Sequence, residues 1–76
     1  MKMKYLSGEK IQVGDVVSLG GEAVGVVVFD YENGEFLPGF EDWSGLGGGV
    51  LVESRQLGVI HYPEPDIDLN LISRAN

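Results

Sequence analysis

The chain has 76 residues, 12 acidic against five basic, a net charge of −7, one histidine and no cysteine. That length makes one small domain, burying about 60–65% of the surface its unfolded form exposes, and without cysteine it holds no disulfide and no Cys-based zinc centre. The Met-Lys-Met-Lys-Tyr-Leu start has no apolar secretory core, and no apolar run approaches the roughly 18–20 residues of a membrane-spanning helix, so a soluble, cytoplasmic protein is expected. The opening Met is read as the start of a nearly full-length chain.

Residues 3–12 read as an extended lead-in with a turn at Ser7-Gly8, and Val13-Gly14-Asp15 as a tight approach to a first strand over 16–19. The Gly20-Gly21 pair is a hairpin signal between this strand and a second one over 23–29. In the second strand Val24, Val26 and Val28 point one way, and Val27 and Phe29 the other. Apolar residues on both faces predict a strand covered on both sides. Gly25 inside it predicts a bend or a close backbone approach.

A long irregular segment follows over 30–49, with turn signals at Asn33-Gly34, Pro38-Gly39 and Gly47-Gly48-Gly49. A loop of that length in so small a domain is where a site is expected; it has room for a short hairpin at Asn33-Gly34 or a helical turn over 41–43. A third strand is predicted over 50–54, then a connection Arg55-Gln56-Leu57-Gly58 and a fourth strand over 59–62. Pro63-Glu64-Pro65 ends that strand, because proline cannot donate to a ladder. Residues 67–72 alternate, predicting Ile67, Leu69 and Leu71 inward with Asp68 and Asn70 outward. No segment keeps a helical period. The expected architecture is all-β: one domain over 1–76, a small, partly open barrel of five strands with one long irregular loop, closed enough to protect its Val-rich edges.

The stretch Ile11-Gln12-Val13-Gly14-Asp15-Val16-Val17, followed by Gly25-Val26-Val27, resembles the first hairpin of KOW-type and other SH3-like barrel domains. The resemblance implies an SH3-like barrel, and for the KOW type a role beside RNA or ribosomal proteins through basic surfaces. This chain lacks such surfaces, since Lys2, Lys4, Lys10, Arg55 and Arg74 are too few and scattered to form an electrostatic stripe. The whole chain also looks like a class of short, acidic bacterial proteins of SH3-like type, some of which act as immunity or inhibitor proteins.

The chain offers poor material for nucleophilic catalysis, with no cysteine and no serine in a nucleophile elbow. His61, between Ile60 and Tyr62, is the one residue that could join carboxylates in a metal site or act as a base, though a lone strand histidine is more often structural. Glu41-Asp42 has no deep cleft to work in. Asp66-Ile67-Asp68 and the acids over 30–35 do not follow a calcium loop. Gly45-Leu46-Gly47-Gly48-Gly49 lacks the Lys and Ser/Thr of a phosphate loop.

The aromatics carry more. Tyr31, Phe36, Phe40 and Trp43 share the long segment with Asp30, Glu32, Glu35, Glu41 and Asp42, and no Lys or Arg lies among them. Rings anchor interfaces and acids steer basic partners, whereas the bland alternative has these rings folding back to cap a small core. The expectation is a non-enzymatic protein-binding module without cofactor or metal, of inhibitor or immunity type. It would block a basic protein partner such as a nuclease toxin, with Tyr31, Phe36 and Trp43 as anchors. Nucleic acid and membrane are not expected as partners. Self-association is open, because a Val-rich edge strand can pair with its own copy. The rival readings are a KOW-like accessory module of the ribosome or transcription machinery, and a small metal-binding protein or enzyme using His61.

Overall fold

A computed structural model describes residues 3–74. Its strands are β1 (Val16–Ser18), β2 (Val24–Asp30), β3 (Glu35–Phe36), β4 (Val50–Ser54), β5 (Gly58–Tyr62) and β6 (Asn70–Ser73), with a 3-10 helix, Glu41–Leu46, before β4. They form one antiparallel sheet in the order β5-β4-β2-β1-β6, with β3 pairing β2 off this path; β5 and β6 do not pair, so the sheet is not closed. The small all-β expectation holds. The sixth strand is β3, inside the segment read as irregular, at the Asn33-Gly34 hairpin.

The approach to β1 is organised by one buried carboxylate. Asp15 is 1% exposed. Its Oδ2 accepts from the Tyr5 hydroxyl at 2.6 Å and from the Gln12 amide at 2.9 Å. Arg74 reaches its Oδ1 at 3.4 Å and donates to the Lys10 carbonyl at 3.0 Å. The backbone joins in, with Gly14 N–H donating to Val27 O at 2.8 Å and Val27 N–H to Asp15 O at 2.9 Å. Thus the Val-Gly-Asp turn ties the N-terminal lead-in, β2 and the end of β6 together. Tyr5 itself is buried in the main core.

Burial first, and then the bond to the Asp15 carboxylate, holds the Tyr5 hydroxyl far above its ordinary pKa of 10.0. The unfolded chain releases this proton near pH 10, whereas the folded protein retains it. Stability is therefore unaffected by this group below pH 10 and declines as pH rises beyond it. Burial acts with the same sign on Tyr31 and Tyr62. Urea unfolding followed from pH 8 to 11 should show a shallower loss of stability for Tyr5→Phe than for the native chain. Equal slopes would place the Tyr5 proton outside the folding equilibrium.

The main core joins Val17, Val27, Val50, Val52 and Leu69 with Tyr5, Ile11 and Leu19. Each such aliphatic side chain contributes about 1.5–3 kcal/mol on burial. Gly25 is the close approach read from the sequence. A Cβ there would lie 2.7 Å from Val52 Cγ1 and 2.8 Å from the Glu53 carbonyl oxygen, so β2 and β4 meet only over a bare backbone.

A bulge changes the facing of β2. Val27 lies opposite Val52 and Phe29 opposite Leu51, which leaves Val28 without a partner of its own in β4. An extra residue in one strand bends it and resets the alternation. Val28 and Phe29 therefore share a second cluster with Leu51, whereas Val27 stays in the main one. The expected opposition of Val28 and Phe29 is corrected on this point. The two-sided cover of β2 is real, and Tyr31, Leu37 and Phe40 of the long segment supply the second side.

The last strand is corrected too. Ile67 is 78% exposed and sits in a turn ahead of β6. The Asp66 side chain accepts from Asp68 N–H at 2.8 Å, and its carbonyl accepts from Leu69 N–H at 3.0 Å. This local bonding wins over the strand alternation. Leu69 and Leu71 do point toward the core, and Ile72, on the outward side of the same alternation, is exposed.

Candidate protein-contact surface

Residues 31–46 form an outer layer over the second cluster. Phe29 is its base. Tyr31 stacks on Phe29 with ring centroids 4.1 Å apart and Phe36 with centroids 5.0 Å apart. Tyr31 then does two further things. Its hydroxyl donates to the Trp43 carbonyl at 2.6 Å, and its ring meets the His61 ring edge-on at 5.6 Å. His61 donates from Nε2 to the Gly48 carbonyl at 2.6 Å. The histidine is thereby engaged with the glycine run, and no group of three or more His, Asp or Glu side chains suited to a metal comes together among the described residues.

The 3-10 helix grows from the Pro38-Gly39 turn. Phe40 N–H donates to Leu37 O at 3.2 Å and Trp43 N–H to Phe40 O at 3.0 Å, two successive bonds of 3-10 spacing. In such a helix side chains three apart eclipse one another. Phe40, Trp43 and Leu46 therefore fall on one stripe. Phe40 packs inward on the second cluster. Trp43 and Leu46 continue the stripe into solvent at 41% and 43% exposed, and no residue of the helix is buried. Phe36, at 42%, is similarly half open.

The predicted residues divide by role. Asp30 is buried, with Oδ1 accepting from the Glu32 amide at 3.1 Å and Oδ2 from the Asn33 side chain at 2.6 Å. It holds the β2–β3 turn and is not a free steering charge. Tyr31 and Phe40 pack on the second cluster as supports. Glu41 is exposed, and its carboxylate accepts from Gly39 N–H at 2.9 Å. Glu32, Glu35 and Asp42 are exposed. What remains outward is Phe36 and Trp43 among these four carboxylates. Leu46 belongs with them and was missed; its signal was the spacing of three from Phe40 and Trp43.

One surface groove, of about 450 Å³, runs over Val16, Val24 and Val26, away from this layer. Two others border it: one of about 400 Å³ lined by Lys10, Asp30 and Glu35, and one of about 750 Å³ between Leu6, Glu32 and Pro63. None is lined by Phe36 or Trp43. Of the scattered bases, Arg74 is committed to Asp15, Lys4 and Lys10 form the isolated bridge of the N-terminal lead-in, and Lys2 lies outside the described residues. No helix among the described residues is long and apolar enough to cross a membrane. Comparison with known proteins gives no match to this chain, whether by family model, curated sequence or solved structure.

Proposed function

We propose that this chain is a non-enzymatic protein-binding module of SH3-like form that takes a basic protein partner on its outer aromatic layer, as an inhibitor or immunity-type protein would. The observation that carries the reading is the 3-10 helix. Six consecutive residues, Glu41–Leu46, fold without burying a side chain, and they hold Trp43 and Leu46 half open beside Glu41 and Asp42. A short 3-10 segment has little intrinsic stability, so ordering it against Tyr31 makes sense as pre-organisation of a contact. Charge sets the partner's sign: no Lys or Arg occurs from 11 to 54, and such a field attracts cationic surfaces and repels phosphate. What supports the SH3-like part is the Gly-Asp approach to β1, the bare backbone at Gly25 and the return of β6 to pair with β1.

Trp43→Ala tests it. Affinity capture from the host with the native chain as bait should retain a basic protein that rising salt releases, and the variant should retain at least tenfold less, as suits an aromatic anchor. Its melting temperature should stay within about 4–8 °C of the native value, since the ring is half open. A variant that unfolds would make Trp43 a core residue. A variant that binds normally would move the interface off this layer.

A further inference from the structure

The two ends of the open sheet differ in a way that bears on self-association. Edge strand β6 is short, interrupted by a register shift, and flanked by Asp68 and by Arg74 with its bond to Asp15. Edge strand β5 is regular. All five of its residues, Gly-Val-Ile-His-Tyr, pair with β4 without a bulge, from Val50 with Tyr62 to Ser54 with Gly58. It contains no charge, no proline and no bulge, the devices by which proteins blunt an exposed edge. Among the described residues no backbone bond outside the β4 ladder involves 58–62. Leu57 and Val59 lie exposed along the same edge.

We propose that β5 is the site at which a second copy of this chain adds, antiparallel, across a two-fold axis at Ile60. That register uses the whole strand: Gly58 meets the partner's Tyr62, Val59 the partner's His61, and Ile60 the partner's Ile60. No like charges oppose one another within it. Its ends are complementary in charge. Antiparallel pairing brings the 55–57 turn of one copy beside the Pro63-Glu64-Pro65 segment of the other, so Arg55 comes to the partner's Glu64, and the symmetry makes this contact twice. Arg55 is exposed and has no carboxylate within 4.0 Å among the described residues. It is also the one base in a long acidic chain between Lys10 and Arg74. In a chain of net charge −7 a second copy is repelled by most faces; the β5 edge, uncharged and bracketed by opposite charges, is where it can approach.

The interface is small, so a dissociation constant on the order of 10–100 µM is expected. Sedimentation velocity of the native chain from about 5 µM to about 1 mM should show a monomer–dimer equilibrium in that range. Arg55→Glu should weaken it roughly tenfold, because two surface ion pairs are lost at once, and Arg55→Glu combined with Glu64→Arg should restore it to within about threefold. Val59→Lys, which places a charge on the edge, should abolish it. A chain that stays monomeric throughout overturns the proposal. So does a dimer that ignores Arg55→Glu and Val59→Lys but is lost with Ile72→Lys, which would put the contact on β6. The readout is oligomeric state alone and is independent of the basic partner proposed above.

Discussion

Asp15→Ala is expected to remove about 3–5 kcal/mol of stability, most of what a domain of this size possesses. The mechanism is the loss of an acceptor, more than the loss of an ion pair. Arg74 is 31% exposed at its side chain and can return to water when its partner goes. The Tyr5 hydroxyl has no such escape, because it is buried in the core, and the part-buried Gln12 amide loses the same acceptor. Each buried donor left unpaired costs about 1–3 kcal/mol. Asp15→Asn keeps one oxygen and should cost about half as much. In a double-mutant cycle, Tyr5→Phe should cost much less in the Asp15→Ala background than alone, because its partner has already gone. Urea unfolding of the four proteins measures this directly, and additive losses would refute the shared bond.

The second large effect is at Gly49. Its φ is +73°, and a Cβ there would stand 2.1 Å from the Tyr62 carbonyl oxygen and 2.7 Å from Pro63 Cα. Both obstacles are backbone, fixed by the pairing of Val50 with Tyr62 and by the proline that ends β5. The left-handed conformation alone costs an L-residue about 1–2 kcal/mol, and parting β4 from β5 adds to it. Gly49→Ala should therefore lose at least about 3 kcal/mol, lowering the melting temperature by about 12 °C or more. Gly47→Ala is the control. Its φ is +75°, but nothing lies within 4 Å of its added Cβ. It should lose only the conformational part, about 1–2 kcal/mol or roughly 4–16 °C, and so less than Gly49→Ala. Equal melting temperatures for the two variants would show that β4 and β5 part without cost at this point.

These two residues show where reading the chain in order succeeds and where it stops. The Gly47-Gly48-Gly49 run is visible as a break, but only the spatial neighbour Tyr62 separates a replaceable glycine from an irreplaceable one. Asp15 stands out locally as part of a Gly-Asp turn. Its burial is not visible, because Tyr5 and Arg74 come from the two ends of the chain. Asp30 is the opposite case. Its partners Glu32 and Asn33 are two and three residues away, so its role as a turn carboxylate is written in the local sequence, alongside its charge.

The candidate site divides the same way. That residues 30–46 are aromatic and acidic is plain in the sequence, and the spacing of Phe40, Trp43 and Leu46 was there to be found. Which rings support and which face outward depends on the bulge at Val28. That extra residue turns Phe29 toward the second cluster and gives Tyr31 and Phe36 a ring to stack on.

The sequence by itself determined the all-β class, the Gly20-Gly21 and Asn33-Gly34 turns, the close approach at Gly25 and the one-sided charge. All of these depend on residue type and on neighbours a few positions apart, where sterics and turn chemistry act. The tertiary structure alone decided the facing of Val28, the carboxylate hub at Asp15 and the bare edge along β5. Each depends on segments far apart in the chain meeting in a particular register or order, and in β2 one extra residue resets the alternation beyond it.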